Sequence, residues 1–399
     1  MAKLRPVATD YVASLGMFAY ASSVAATPII LIRIASELQF SLAEGGGIEA
    51  VRTSFLLAVL IASGVAAKRI GTQQTLGWGG VMLGVGLGAY ALAPTYAVVL
   101  AAIVLVGLGG GVLEALLNPL VQNAHPDDSG RYLNMVNAFF SAGVLTSVLV
   151  VGDLLTRGVS WRILVAGVGA LALVTGVLFL FLRSPEAGDN DDPATHPTDR
   201  GIWHHTRAIA RERDFWLLSV AMFCGGGAEG AFTFWSASYI QVHFQTLARA
   251  GAIGTAAFAA GMVVGRFASG RFVHQDGIRR LIIVSAIFGV AASLGAWAVQ
   301  SVIGLYGIVF AAGLSIACFW PSIQSYAATV IPLDSTTLFI LLSCFGIPGF
   351  GLTSWVMGII ASSYGLRTSL LVIPGLLAIL ALVMTMTRKP TRAAAEPAV

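Results

Sequence analysis

Pro126-Asp127-Asp128-Ser129 and Pro332-Leu333-Asp334-Ser335 stand 206 residues apart in a chain of 399. The same step carries Ser63-Gly64 and Gly71 onto Ser269-Gly270 and Gly277, and Phe139, Gly143 and Gly152 onto Phe345, Gly349 and Gly358. A shared offset at separate places reads as one unit written twice. Upstream of the Pro-Asp loops a second register, 202, relates Gly111, Pro119 and Gln122 to Gly313, Pro321 and Gln324.

Working outward from the repeat, 57% of the residues are apolar and 11% are charged, against roughly 25% charged in an average soluble domain. That scarcity excludes a water-solvated globule of this size, and the apolar content excludes a disordered chain. A mean hydropathy of +0.83 points to a chain solvated by lipid. The 46 glycines suit helices whose backbones approach closely inside a membrane. Cys224, Cys318 and Cys344 lie in apolar runs and read as small hydrophobes. The six histidines have no zinc-ligand spacing, and no G-x-x-x-x-G-K-[ST] loop is present. No cofactor, metal or direct nucleotide drive is therefore expected.

A helix needs about 20 apolar residues to cross a bilayer core, and twelve such stretches follow one another: 11–33, 46–67, 75–94, 96–122, 132–155, 162–183, 215–243, 250–271, 280–299, 302–330, 336–363 and 367–387. They are numbered as spans one to twelve. The expected fold is an all-α integral membrane protein with two pseudo-symmetric six-helix bundles. The bundles occupy 1–183 and 215–387, with a polar linker over 184–214 and a tail over 388–399. The linker begins acidic (Glu186, Asp189, Asp191, Asp192) and ends basic (Arg207, Arg211, Arg213). Its Ile202, Trp203 and Ile209, with Phe215 just beyond, fit either a solvated connection or an amphipathic helix on the membrane surface. With the N-terminus inside, the cytoplasmic segments hold 16 of the 23 Lys and Arg and the opposite side holds 5. That bias places both termini and the linker in the cytoplasm, with the chain in a cell (inner) membrane. The net charge of +4 then faces anionic lipid and needs no nucleic acid.

The stretch Gly64-Val65-Ala66-Ala67-Lys68-Arg69-Ile70-Gly71 at the end of span two has a sister at the end of span eight, Gly261-Met262-Val263-Val264-Gly265-Arg266-Phe267-Ala268-Ser269-Gly270-Arg271. Both resemble the Gly-rich basic loop of the major facilitator superfamily, and the likeness covers essentially the whole chain. Within that superfamily the chain is similar to the fucose permease-like sugar:proton symporters. Three stretches carry that likeness: Gly109-Gly110-Gly111-Val112-Leu113-Glu114-Ala115-Leu116-Leu117-Asn118-Pro119, then Arg131-Tyr132-Leu133-Asn134-Met135-Val136-Asn137-Ala138-Phe139-Phe140, and Phe319-Trp320-Pro321-Ser322. Gly227-Ala228-Glu229 with Trp235 and Tyr239 adds to it. The chain departs from that family at Ser22-Ser23-Val24-Ala25-Ala26, where the family has an Asn-rich stretch ending in Asp. Phe140 stands where the family has a sugar-contacting Asn. The resemblance implies alternating access by two rocking bundles, a working monomer, and a functional acid at Glu114.

Ionisable groups at membrane depth cost about 2.5–3.5 kcal/mol each on insertion scales and are functional candidates by default. Six charged residues lie within the spans short of their end residues: Glu49, Arg52, Glu114, Asp153, Glu229 and Arg266. Glu114 and Asn118 are four residues apart on one helical face. Burial disfavours a charged carboxylate, so Glu114 is the expected proton-coupling group, with Glu229 as a second. Glu229 is flanked by Gly225, Gly226, Gly227 and Gly230, which leave room for a ligand beside it; Trp235 and Tyr239 offer a ring and a hydroxyl. Sugars suit such chemistry, stacking on aromatic faces while carboxylates and amides bind their hydroxyls. The expected substrate contacts are Asn118, Asn137, Glu229, Trp235, Tyr239, Trp320 and Gln324. Glu49 and Arg52, three residues apart, read either as an ion pair or as an anion site with Glu49 as the resting partner of Arg52. Asp153 and Arg266 lie near span ends and read as interfacial or helix-contact residues.

The expected function is therefore secondary transport, with proton-coupled uptake of a sugar or similar small polar solute as the leading reading. An organic-anion transporter using Arg52 and an exporter of amphipathic compounds or lipids are its rivals. A non-transporting scaffold on the same architecture would have no reason to keep two acids at membrane depth.

Overall fold

The computed structural model describes residues 7–125, 129–182, 206–272, 277–331, 333 and 335–388. The two Pro-Asp loops fall largely outside these residues, as do most of the linker, with Ile202 and Trp203, and nearly all of the tail. Among the described residues are twelve helices long and apolar enough to cross a membrane. In chain order they are Ala8–Leu38, Leu42–Ile70, Thr72–Leu92, Tyr96–Ala124, Ser129–Thr156, Trp161–Phe181, Arg213–His243, Ala248–Phe272, Ile278–Ala298, Val302–Val330, Ser335–Tyr364 and Leu366–Met386. These replace the sequence bounds for spans one to twelve, and most lengthen them by a few residues. Polar helix ends carry too little hydropathy to be counted from sequence, yet backbone hydrogen bonding continues through them.

Two spans are interrupted. Span ten consists of Val302–Ile316 and Phe319–Val330, and span twelve of Leu366–Ser369 and Val372–Met386. Pro119 sits inside the continuous helix of span four, whereas Pro321 falls in the first turn of the second segment of span ten. Pro has no N–H to give, and a first turn asks for none.

The helix bounds correct one sequence register. Spans three and nine (Thr72–Leu92, Ile278–Ala298) and spans four and ten (Tyr96–Ala124, Val302–Val330) are related by 206 at both ends. A single register thus runs through span ten, and the 202 alignment of Gly111, Pro119 and Gln122 is a coincidence of common residues. Packing agrees. A Cβ built on Gly107 would meet the Arg52 carbonyl, and one on Gly313 would meet the Phe258 carbonyl. Both members of each contact are 206 apart from their counterparts. In this register Asn118 is the mate of Gln324, and Glu114 is the mate of Trp320.

Spans one to six pack on one another, as do spans seven to twelve. Across the divide, span two lies against span eleven, span five against span eight, and the end of span one against span seven. The inner end of the molecule is defined as the one where span one begins and span twelve ends. The cross-bundle contacts gather in the outer half. Gly358 approaches Leu42, where a Cβ would stand 2.5 Å from the carbonyl oxygen, and its mate Gly152 approaches Ala248 and Ala252. Arg249 of span eight pairs with Asp153 of span five and donates its backbone N–H to Thr156 Oγ1 at 2.9 Å. The backbone N–H of Ala43 donates to Ser362 Oγ at 2.8 Å. Small residues and short hydrogen bonds thus seal the outer end in two pseudo-symmetric places.

Residues 206–211 form a short helical turn before span seven. Ile209 and Phe215 are buried in the protein, so this part of the linker packs inward rather than presenting an apolar face to lipid.

Candidate functional site

Gly107, Gly111, Glu114 and Asn118 recur at steps of four and three, which places them on one face of span four. Gly107 and Gly111 press that face onto the backbone of span two at Arg52 and Leu56. The stripe therefore points into the molecule and away from lipid. Further inward it meets open space: Glu114 is exposed and Asn118 is half-buried. Asn137 of span five is also exposed, and its Nδ2 donates to Asn118 Oδ1 at 2.9 Å. Glu114, Asn118 and Asn137 thus lie together on an accessible face of spans four and five in the inner half of the molecule.

The opposite wall repeats the pattern with other chemistry. Gln324 Nε2 donates to Ser343 Oγ at 3.2 Å. Gln324 and Ser343 are the mates of Asn118 and Asn137, so two polar pairs face the divide from equivalent hairpins. Trp320 is half-buried against Gly346. It stands where the first half has Glu114, which leaves a carboxyl on one wall and an indole ring on the other.

Glu229 is near the middle of span seven with its side chain 24% exposed. Arg266 of span eight, 47% exposed, places Nη2 3.4 Å from Glu229 Oε1. Of the two sequence readings of Arg266, interfacial or helix-contact, this geometry is the second: it reaches the mid-depth acid of the neighbouring span. The glycines around Glu229 do not hold space for a ligand. A Cβ on Gly226, Gly227 or Gly230 would meet Gly346, Thr353 or Phe350 of span eleven, so these glycines seat a neighbouring helix.

Trp235 and Tyr239 are also corrected. Trp235 is 0% exposed and donates its Nε1–H to the Ser354 carbonyl at 3.0 Å. Tyr239 is 2% exposed and stacks on His243, with ring centroids 5.0 Å apart. Both point into the packing of the second bundle, and neither reaches the cleft. Residue spacing along a helix cannot tell a cavity-lining aromatic from a core one, because both faces of a buried helix are apolar.

Glu49 and Arg52 form a buried pair: Arg52 Nε and Nη2 donate to Glu49 Oε2 and Oε1 at 3.0 and 2.5 Å. Two parallel bonds to one carboxylate hold the guanidinium tightly. Asp153 lies near the outer end of span five, as read from the sequence. Its partners are Arg157 at 2.7 Å and Arg249 across the divide.

One member of the site went unseen in the sequence. Tyr20, in span one, is 5% exposed. Its side chain lies close to both Arg52 and Glu114. Its ring rests on span four at Gly110, where a Cβ would lie 3.1 Å away, and sits 5.8 Å from the ring of Phe140. A tyrosine among apolar residues carries no periodic signal, and only the crossing of spans one, two and four brings it here. Ser22, close by in the same span, donates to the Phe18 carbonyl at 2.7 Å and accepts from Ser147 of span five at 2.7 Å. The polar stretch of span one is thus spent on helix packing.

A family model described as Major Facilitator Superfamily matches residues 12–254. The chain belongs to the major facilitator superfamily. It is a multi-pass membrane protein. A curated relative, the membrane protein MosC of Rhizobium meliloti, is 27% identical over 292 residues, 70% of this chain and 66% of that protein. The chain therefore spans just under two thirds of that relative's length. Among solved structures, the fold matches a bacterial homolog of the human lysosomal transporter Spinster, inward-facing and occupied. That match has a TM-score of 0.79 at 16% identity and covers 96% of both chains. A mutant of the nucleoside transporter NupG matches with TM-score 0.80 at 15% identity over 95% of this chain and 98% of that one. A variant of the E. coli fucose:proton symporter FucP matches with TM-score 0.63 at 18% identity over 94% and 98%. At such identities the likeness is one of fold.

Proposed function

We propose that this protein is a secondary transporter that moves a sugar or similar small polar solute together with protons, alternating between a cleft open at the inner end and one open at the outer end. The observation that carries the reading is Glu114. It is an acid at membrane depth, exposed to the cleft, and it makes no ion pair with any described residue. The nearby guanidinium of Arg52 is already held by Glu49. The three groups therefore carry one uncompensated negative charge, which a single proton removes. Neutralising a carboxyl before it is carried through a low-dielectric barrier avoids a large desolvation cost.

Hydrogen-bonding side chains on both walls (Asn118, Asn137, Gln324, Ser343), together with the Trp320 ring, suit a neutral solute with hydroxyls and a C–H face. Fucose and nucleosides, named for two proteins of similar fold, are of this kind. The buried Glu49–Arg52 pair favours the ion-pair reading over an anion receptor at Arg52. With the Lys and Arg bias placing the termini in the cytoplasm of a cell (inner) membrane, the cleft opens to the cytoplasm. The two six-span sets are the rocking units, coupling is to H⁺, and the monomer is the working form.

The test is flux into proteoliposomes. Labelled fucose, other neutral sugars and nucleosides are offered with and without an inward-directed proton gradient. Accumulation driven by the gradient is expected for the wild type. Glu114→Gln should lose that accumulation while keeping exchange of internal for external solute. The reading fails if none of these solutes moves, or if Glu114→Gln accumulates as the wild type does.

A further inference from the structure

We infer that Thr156 and Ser362 are positioning residues that hold the outer end closed, each capping from its own bundle the first helical turn of the other. Thr156 of span five and Ser362 of span eleven stand 206 residues apart, and so do the residues they meet, Arg249 of span eight and Ala43 of span two. Thr156 Oγ1 accepts the Arg249 backbone N–H at 2.9 Å, and Ser362 Oγ accepts that of Ala43 at 2.8 Å. A helix begins with N–H groups that have no partner inside it, and a hydroxyl that takes one of them is a cap. Here the cap belongs to the opposite bundle, so each bond exists only while the outer ends touch.

The capped turns are presented alike. Gln39 and Gln245, also 206 apart, end spans one and seven with φ of 56° and 50°. The chain then bonds back on itself, Phe40 N–H to the Ala35 carbonyl at 3.2 Å and Thr246 N–H to the Gln241 carbonyl at 3.1 Å. A tyrosine ties each incoming turn to its own bundle. Tyr96 of span four donates its O–H to the Glu44 carbonyl at 2.8 Å, and Tyr306 of span ten donates to the Ala250 carbonyl at 3.0 Å. Glu44 and Ala250 are mates, whereas the two tyrosines are 210 apart, one helical turn out of register. The same carbonyl is thus gripped from two different positions. A turn fixed in this way passes the pull of its cap to the whole bundle.

The two seams differ in strength. Span two has a cap of its own: Ser41 Oγ accepts the Glu44 N–H at 3.3 Å, and Glu44 Oε2 accepts the Ser41 N–H at 2.7 Å. Leu247 stands in the place of Ser41 before span eight and has no side-chain acceptor, so that helix draws on Thr156. Thr156 is half-buried, and its O–H donates to the Gly152 carbonyl at 2.7 Å, which leaves the oxygen to accept from Arg249. The Arg249 guanidinium also pairs with Asp153, whereas the mates Ala43 and Ile359 carry no charge. Ser362 is exposed, where water competes for the same N–H. The seam of spans five and eight is therefore the firmer latch.

The latch uses neither a solute nor a proton, so its test is separate from that of the proposed transport. Full-length protein with Cys224, Cys318 and Cys344 replaced by serine carries nitroxide labels at Ser36→Cys and Gln300→Cys, on the outer ends of the two bundles. Label separations in lipid nanodiscs give the ratio of outer-open to outer-closed molecules. Thr156→Val keeps the shape and loses the acceptor, so the ratio should rise roughly 2- to 30-fold. Ser362→Ala should raise it by a smaller factor, and the double variant by the product of the two. Thr156→Ser and Ser362→Thr keep the hydroxyl and should keep the parent ratio. A residue that only stabilised its own bundle would lower the melting temperature in detergent and leave the ratio where it was. An unchanged ratio in both Thr156→Val and the double variant overturns the latch. So does a Thr156→Ser protein that opens as far as Thr156→Val, since the hydroxyl would then be irrelevant.

Discussion

Gly358→Ala is the smallest change that tests how the outer end is held shut. The added Cβ would stand 2.5 Å from the Leu42 carbonyl oxygen and 3.1 Å from Ala43 Cα, and backbone cannot swing aside as a side chain can. Ordinary contact begins near 3.4 Å, so the two helices must part by about 0.9 Å. Overpacking of this kind costs about 1–3 kcal/mol. Charged only to the state in which the outer end is closed, that cost shifts the closed-to-open ratio by roughly 5- to 150-fold. Its mate Gly152→Ala, where the Cβ would run into Ala252, should act in the same direction.

The control is Gly167→Ala in span six, where nothing lies within 4 Å of the new Cβ. It gains the same helix propensity, about 1 kcal/mol, in both states. The assay is labelling of a single cysteine at Ser362→Cys by a membrane-impermeant maleimide in right-side-out vesicles. Gly358→Ala should label faster than its parent by at least about fivefold, and Gly167→Ala at the parent rate. Equal rates for Gly358→Ala and Gly167→Ala would refute the claim that close helix approach at this glycine keeps the outer end closed.

Arg52→Gln leaves Glu49 buried without its cation and should destabilise the protein by about 3–5 kcal/mol; Glu49→Gln/Arg52→Gln should recover most of that loss, as read by thermal melting in detergent. Trp235→Phe removes one buried hydrogen bond and part of a packed ring, so the melting temperature should fall while half-saturation for any transported solute stays unchanged. A change in half-saturation would return Trp235 to the cleft wall.

Much of this architecture is legible in the residues. Twelve apolar runs, a charge bias and a repeated Pro-Asp loop suffice for twelve spans in two related halves, because membrane insertion depends on local hydropathy. The site was legible where chemistry is rare. Glu114 stands out because an acid at that depth is costly, and Asn118 and Asn137 because amides are few among these spans. Glu229 was found on the same ground, but its partner Arg266, 37 residues away, could not be chosen from several span-end arginines. Trp235 and Tyr239 were misplaced because aromatics serve core and cavity alike. Tyr20 was missed for the converse reason, since a hydroxyl at membrane depth becomes notable only once its neighbours are known.

The sequence alone determined that this chain spans a membrane twelve times and that its halves repeat, since burial of each span in lipid is decided within some twenty residues. The 206-residue register through span ten, the Asn118–Asn137 and Gln324–Ser343 pairs and the seating of the Tyr20 ring on span four were decided only by tertiary structure. Each depends on which helix faces meet, and with lipid as apolar as leucine that choice falls to close packing of glycines and to hydrogen bonds between helices.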